Sequence, residues 1–236
     1  MAFQSWQTAE RAYEIHADTF VKREPRQSEL LEDITGQIMK LPVDSKARLK
    51  NEYNILRYLS LKTSIPVPAP LRFSIKNGIA VLETSTVPKE AVTLAQYDGD
   101  DRELVVSKVG EELVTSIIPH LQKHTSRIMG GMNEEDRLLL PPRLTTGHNK
   151  RWPRIENKAG DRNFVLCHND LGQSNVFIHP TTHKISAIID WEYAGYYPPQ
   201  FEAQLWRYHP HHQDWQAHHP EENLRLIETL SGRTSM

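Results

Sequence analysis

The chain has 236 residues, with 28 Lys and Arg against 30 Asp and Glu and a formal net charge of −2. That balance leaves no electrostatic footprint for a nucleic-acid polymer or an anionic membrane surface, and the length suffices for one large domain or two small lobes. A single cysteine excludes an internal disulfide, and no apolar stretch reaches the roughly 18 residues of a membrane span or follows signal-peptide layout, so a cytoplasmic protein is expected.

In chain order, Tyr13-Glu-Ile-His16 and Thr19-Phe-Val-Lys22 read as two short strands around a His-Ala-Asp turn, with Lys22 and Phe20 on one face. The first twenty residues contain no glycine. From Gln27 to Leu41 the apolar residues Leu30, Leu31, Ile34 and Ile38 recur at helical spacing, which predicts an amphipathic helix ending at Pro42. A second helix is expected over about Ser45 to Ser60, where Leu49, Glu52, Leu56 and Leu59 share one stripe. A carboxylate on an apolar stripe needs a cation if it is buried, and the neighbouring strand offers Lys22; otherwise Glu52 lies at the stripe's edge and reaches water.

Ile65-Pro-Val-Pro-Ala-Pro70 must run extended, since each proline pushes its predecessor out of the helical region. Leu71 to Ile75, the turn pair Asn77-Gly78, and Ile79 to Leu82 then read as a β-hairpin that closes a small antiparallel sheet. Asp98-Gly-Asp-Asp101 marks a turn. Leu104, Val105, Val109, Leu113, Ile117 and Leu121 form the stripe of a longer helix that Pro119 should kink or end. From about Thr125 to Asp161 the periodicity is weak, so mostly loop is expected, with a short helix near Glu134 to Leu140.

The richest stretch is 164–192. Phe164-Val-Leu-Cys167 is an apolar strand, and Val176-Phe-Ile178 and Ile185 to Ile189 flank a polar turn as a second hairpin. A hairpin brings the residue before its first strand beside the residue after its second, so Asn175 and Asp190 should be neighbours. Together they offer an amide and a carboxylate oxygen to a hard cation such as Mg²⁺. Asp170, five residues before Asn175, is free to act as a base. A base followed by two metal-binding oxygens suits phosphoryl transfer from ATP, where catalysis is mostly positioning and charge neutralisation.

His168-Asn-Asp-Leu-Gly-Gln-Ser-Asn175, followed by Ile188-Ile-Asp-Trp-Glu192, resembles the catalytic-loop motif and metal aspartate of the aminoglycoside phosphotransferase (choline kinase-like) family. The resemblance implies an α+β, protein-kinase-like, two-lobed fold. A reduced N-terminal antiparallel sheet lobe would span 1–92, and a mostly helical C-terminal lobe 93–236. It gives Asp170 the catalytic role, Asn175 and Asp190 the metal roles and His168 a structural one. Lys22, positioned by Glu52, would hold the α- and β-phosphates, and the link from Glu83 to about Thr93 would meet the adenine. Lys22, Glu52, the Ser64-Ile-Pro-Val-Pro68 run and the aromatic segment Tyr193 to Glu202 look like fungal members of that family. The implied activity is that of an ATP- and Mg²⁺-dependent small-molecule kinase acting on a hydroxyl-bearing substrate.

Two departures keep a rival in view. No glycine-rich loop precedes Lys22 to supply N–H groups to the phosphates, and the chain stops soon after Glu202. The rival is a kinase-like binding protein without turnover. A protein kinase is disfavoured by the lack of any APE-like signature. Among other residues, Cys167 reads as a small core side chain rather than a nucleophile. The five histidines His209, His211, His212, His218 and His219 read as a solvated run rather than a metal site. The acidic clusters at 98–101 and 134–136 read as wet surface rather than an attractor for a cationic substrate.

Overall fold

The computed structural model describes residues 4–133, 136–145, 151–158, 160–161, 163–210 and 220–234. The N-terminal part comprises β1 (Gln4–Gln7), β2 (Ala12–Ile15), β3 (Thr19–Arg23), α1 (Ser45–Lys62), β4 (Pro70–Lys76) and β5 (Ile79–Ser85). Its strands form one antiparallel sheet in the order β1-β2-β3-β5-β4. Asn77 and Gly78 both take positive φ (51° and 79°), the twist that a two-residue hairpin turn requires.

Helix α1 joins the sheet to the rest of the molecule. Leu49 packs with Ala80 and Leu82 under the sheet, while Ile55, Leu56 and Leu59 enter the large core of the C-terminal part. Asn51, fully buried, fixes the helix end-on: its Nδ2 donates to the carbonyls of Glu192 and Ala194 (3.1 and 2.8 Å), and its Oδ1 accepts from Met132 N (2.7 Å). Gly131 is required beside it, because a Cβ there would overlap Asn51 Oδ1.

The C-terminal part runs through β6 (Val92–Thr93), α2 (Arg102–Glu112), a π-helical turn (Leu113–Ile117), α3 (Ile118–Gln122), β7 (Thr125–Ser126), β8 (Ile128–Met129) and α4 (Pro142–Thr145). It continues through β9 (Ile155–Glu156), β10 (Phe164–Cys167), β11 (Val176–Ile178), β12 (Ile185–Ile188), β13 (Gly195–Tyr197) and α5 (Pro220–Thr234). Three small sheets organise it, in the orders β13-β10-β7, β12-β11-β6 and β8-β9. Val105, Val109, Leu113, Ile117 and Leu121 form the buried stripe, while Leu104 is exposed. Pro119 neither ends nor breaks the helix. The π turn just before it shifts the hydrogen-bond ladder, so that Ile118 N bonds back to Leu113 O, and the helix runs on to Gln122.

Two expected helices are corrected. Over Gln27–Leu41 only a 3₁₀ turn forms, at Gln27–Glu29, followed by an extended excursion with a bridge between Glu32 and Ile38. Local turn chemistry overrides the apolar spacing. Asp33 Oδ1 accepts from Thr35 N, Thr35 Oγ1 and Gln37 N (2.8, 2.6 and 3.0 Å), and Gly36 takes φ 80°. Leu31, Ile34 and Ile38 consequently stand in solvent, Ile34 completely. The short helix expected near Glu134 to Leu140 lies instead at Pro142–Thr145; residues 134–135 fall outside the described residues, and Leu138 N pairs with Trp152 O (2.9 Å) in extended chain. Of the histidine run, His209 meets Ala95 O at 3.3 Å through Nε2, and the other four lie outside the described residues. No helix among the described residues is long and apolar enough to cross a membrane.

The two environments predict opposite mutational costs. Leu59→Ala should lose about 2–5 kcal/mol of stability in chemical denaturation. Ile34→Ser, at a position the helical reading would bury, should stay within about 0.5 kcal/mol of wild type. A large loss at Ile34 would contradict the exposed turn.

Candidate active site

Lys22, 4% exposed on β3, projects between α1 and the end of β12. Its Nζ lies 2.8 Å from Glu52 Oε2, 2.5 Å from Asp190 Oδ1 and 3.5 Å from Glu192 Oε2. Burial opposes the ammonium's charge, yet Asp190, Glu192 and Glu52 outweigh it and hold the Lys22 pKa well above its ordinary value. The carboxylates do not share this support equally. Burial pushes Glu52 up, against the pull of Lys22, with the Asp190 and Glu192 charges adding to the rise. Glu192 is held low although it too is buried, because Lys22, Arg11 and Arg48 all face it.

The 164–192 stretch builds the rest of the site as a hairpin should. β11 and β12 pair from Val176 with Ile188, and Ile189 N donates to Asn175 O (3.0 Å), which sets the two ends of the hairpin side by side. Asp190 then takes a left-handed conformation (φ 63°, ψ 54°), and the 3₁₀ turn Trp191–Tyr193 follows. Asn175 Nδ2 donates to Asp170 O (2.7 Å) and to its Oδ2 (3.3 Å). Burial raises the Asp170 carboxyl to about 7, with Asp190 adding to the rise and Arg143 opposing it.

His168 holds this loop from beneath. Its Nδ1 accepts from Asp170 N (3.2 Å), so Nε2 carries the proton and donates to Ile189 O (2.9 Å). Burial pushes its pKa down to about 4, which keeps the ring neutral, and it packs on Trp191 with centroids 4.4 Å apart. Cys167 is a buried core thiol, pushed well up by burial.

Lys22, Glu52 and Asp190 close the inner end of a cavity of about 760 Å³. Tyr13, Phe20, Leu56, Leu82 and Phe177 give it apolar walls, and Ser85 to Lys89 of the link after β5 form one side. The turn between β1 and β2, which precedes Lys22 in the sheet, has three of its amides committed. Glu10 N and Arg11 N both point to Thr8 Oγ1 (3.4 and 3.1 Å), and Thr8 N donates to Arg11 O (2.8 Å). Side chains pin the same turn: Arg11 donates to Ser45 Oγ (2.6 Å) and Glu192 Oε2 (2.8 Å), and Glu10 pairs with Arg48.

The donor set around this point fits a hard divalent cation. Glu52, Asp190 and Glu192 each bring an oxygen within 4.8 Å of the others, and Asp190 is the most open of the three, with 31% of its side chain exposed. Asn175 turns its amide hydrogens to Asp170, which leaves its Oδ1 as the side chain's acceptor.

The five residues singled out from sequence therefore converge, Lys22, Glu52 and Asp190 in direct contact and Asp170 and Asn175 bonded to each other. Sequence reading missed Arg11, Arg48, Glu192, Arg143 and Glu202. Arg48, 3% exposed, sits one helical turn before Glu52 on the same stripe, and that second buried charge was a usable signal. Glu192 stood inside the quoted motif. Arg11, Arg143 and Glu202 carried no local signal, since their partners are distant in the chain.

Residues 121–224 match the model of the phosphotransferase enzyme family. An aminoglycoside 3'-phosphotransferase of Streptomyces ribosidificus is 27% identical over 161 residues, covering 63% of this chain and 60% of that one, so the match spans less than two thirds of that relative. Among solved structures, the aminoglycoside-3'-phosphotransferase of type VIII superposes with a TM-score of 0.53 at 14% identity, over 99% of this chain and 85% of that one. A thermostable mutant of aminoglycoside phosphotransferase APH(4)-Ia, in a ternary complex with AMP-PNP and hygromycin B, gives 0.54 at 13% identity, over 97% and 83%. The fold is that of the aminoglycoside phosphotransferases. The N-terminal antiparallel sheet and the α+β class expected from sequence are both found.

The raised Asp170 predicts a pH signature in the ligand-free protein. Its carboxyl titrates near 7 when folded and near about 3.9 when unfolded, so between those values the folded chain holds the extra proton and stability falls as pH rises. Asp170→Asn removes that loss. Its melting temperature minus that of wild type should widen from about pH 5 to about pH 8; a constant gap would contradict the buried, raised carboxyl.

Proposed function

We propose that this chain transfers the γ-phosphoryl group of ATP to the hydroxyl of a small molecule. The observation that carries the reading is the presence of Lys22, Glu52 and Asp190 together in the wall of an otherwise apolar cavity of a nucleotide's dimensions, with Asn175 tied by its backbone to the residue before Asp190 and by its side chain to Asp170. The base occupies the apolar cavity and the link after β5 offers main-chain groups to its edge. Lys22 leaves Asp190 to meet the α- and β-phosphates and keeps Glu52 as its anchor. Asp190 and Asn175 hold Mg²⁺, which when bound neutralises charge on the phosphate oxygens.

Asp170 supplies the other half of the chemistry. Its carboxylate accepts a hydrogen bond from the acceptor hydroxyl and takes its proton as the phosphoryl group transfers in line. Positioning dominates such a reaction, so the rigid bonding of the loop from His168 to Asn175 is itself catalytic equipment.

One observation favours the rival reading of a binding protein without turnover. Two amides of the β1–β2 turn, Glu10 N and Arg11 N, are turned to Thr8 Oγ1 and not toward a phosphate. A thermal-shift titration with a non-hydrolysable ATP analogue, with and without Mg²⁺, separates the cases together with an ATP turnover assay. Saturation at 100 times Kd adds about 2.7 kcal/mol, and the shift should need Mg²⁺ and vanish in Asp190→Ala. Turnover should be present in wild type and lost in a folded Asp170→Ala. Binding without turnover in wild type would favour the rival, and no Mg²⁺-dependent binding would defeat both.

A further inference from the structure

Arg143 belongs to none of the motifs that build the site, yet it reaches the catalytic loop from the far side. It sits on α4, whose neighbouring Leu144 is fully buried against the core that includes Leu224 and Ile227 of α5, so its backbone is well anchored. One nitrogen, Nη2, donates to two carbonyls at once, Asn169 O and Phe201 O, each at 3.0 Å. Asn169 immediately precedes Asp170 and takes a left-handed conformation (φ 69°), one that asparagine tolerates better than most side chains and that turns the backbone sharply at this point.

The second clamped carbonyl belongs to the segment that also carries Glu202. Glu202 Oε2 accepts from His168 N at 2.5 Å, so the backbone just before Asp170 is tied to one segment at two points, at His168 N by Glu202 and at Asn169 O by Arg143. The Asn169 side chain adds a third tie, with Nδ2 donating to Tyr193 O (3.0 Å). Arg143 also brings a positive charge up to Asp170, the group that must stay ionised and correctly aimed.

We propose that Arg143 is a positioning residue for Asp170, fixing the Asn169 carbonyl and thereby the direction of the carboxylate. The inference rests on the kinase reading for the word catalytic, though the clamp itself does not. Nε and Nη1 of Arg143 are shut off from solvent and have no hydrogen-bond partner among the described residues, so the guanidinium acts on the loop and does not touch an acceptor directly.

The test uses the full chain as wild type, Arg143→Met and Arg143→Lys. Hydrogen exchange should quicken at least about tenfold in peptides spanning 164–175 of the Met variant, while peptides from β3 and α1 keep wild-type rates. Mg²⁺-ATP turnover should fall at least about tenfold in kcat with KM for ATP held within about twofold, and the Lys variant should fall between the two. Unchanged exchange in the loop would overturn the proposal, as would equal losses in kcat and nucleotide affinity. If the Met variant fails to fold, the Lys variant decides by the same exchange and kinetic criteria. If wild type turns over no ATP, the proposed function fails, and the exchange arm still decides whether Arg143 holds the loop.

Discussion

The buried ammonium of Lys22 is the interaction on which the rest of this structure depends. Three carboxylates from different parts of the chain, Glu52 on α1 and Asp190 and Glu192 after β12, meet at it. None could be buried alone, because an unpaired charge removed from water is costly, and none of the three elements could approach the others without a cation between them. The sheet, the helix and the hairpin are thus registered to one another by charge, while the apolar contacts of Leu49, Leu56 and Leu59 supply the bulk of the burial.

Charge counting within this cluster also says what it lacks. Lys22, Arg11 and Arg48 face Glu10, Glu52, Asp190 and Glu192, which leaves one negative charge without a partner. Burial is the main push on Glu52, and the neighbouring charges of Asp190 and Glu192 add to it against the pull of Lys22. A divalent ion at Asp190 would relieve the deficit and would free Lys22 from its shortest contact. In the structure Lys22 is held among the carboxylates.

The local part of this site was legible in the sequence because its geometry is set by short-range rules. A hairpin of Val176 to Ile178 with Ile185 to Ile188 must bring Asn175 beside Asp190, whatever surrounds it, and an inward-facing Glu52 must find a cation. What could not be read there are the long-range partners: Arg11 meets Glu192 across 181 residues, and Arg143 meets Asn169 through a helix whose place the weak periodicity of 125–161 did not reveal. The helix expected over Gln27–Leu41 failed for a related reason. Its apolar spacing was real, but Asp33, Thr35 and Gly36 encode a turn whose side-chain bonds to the backbone compete with the helix ladder, and no tertiary surface is present to bury Ile34 or Ile38.

The missing glycines take on a different meaning once the β1–β2 turn is seen. Glycine in such a loop serves close approach of main-chain N–H groups to phosphate, at the expense of a mobile backbone. Here Thr8 satisfies those N–H groups internally, and Arg11 and Glu10 bolt the turn to Glu192, Ser45 and Arg48. The turn is thereby held by ion pairs to the same cluster that positions Lys22. A chain built this way trades an adaptable turn for a rigid one, and the cations that line the cavity are side chains, Lys22 and Lys89 among them.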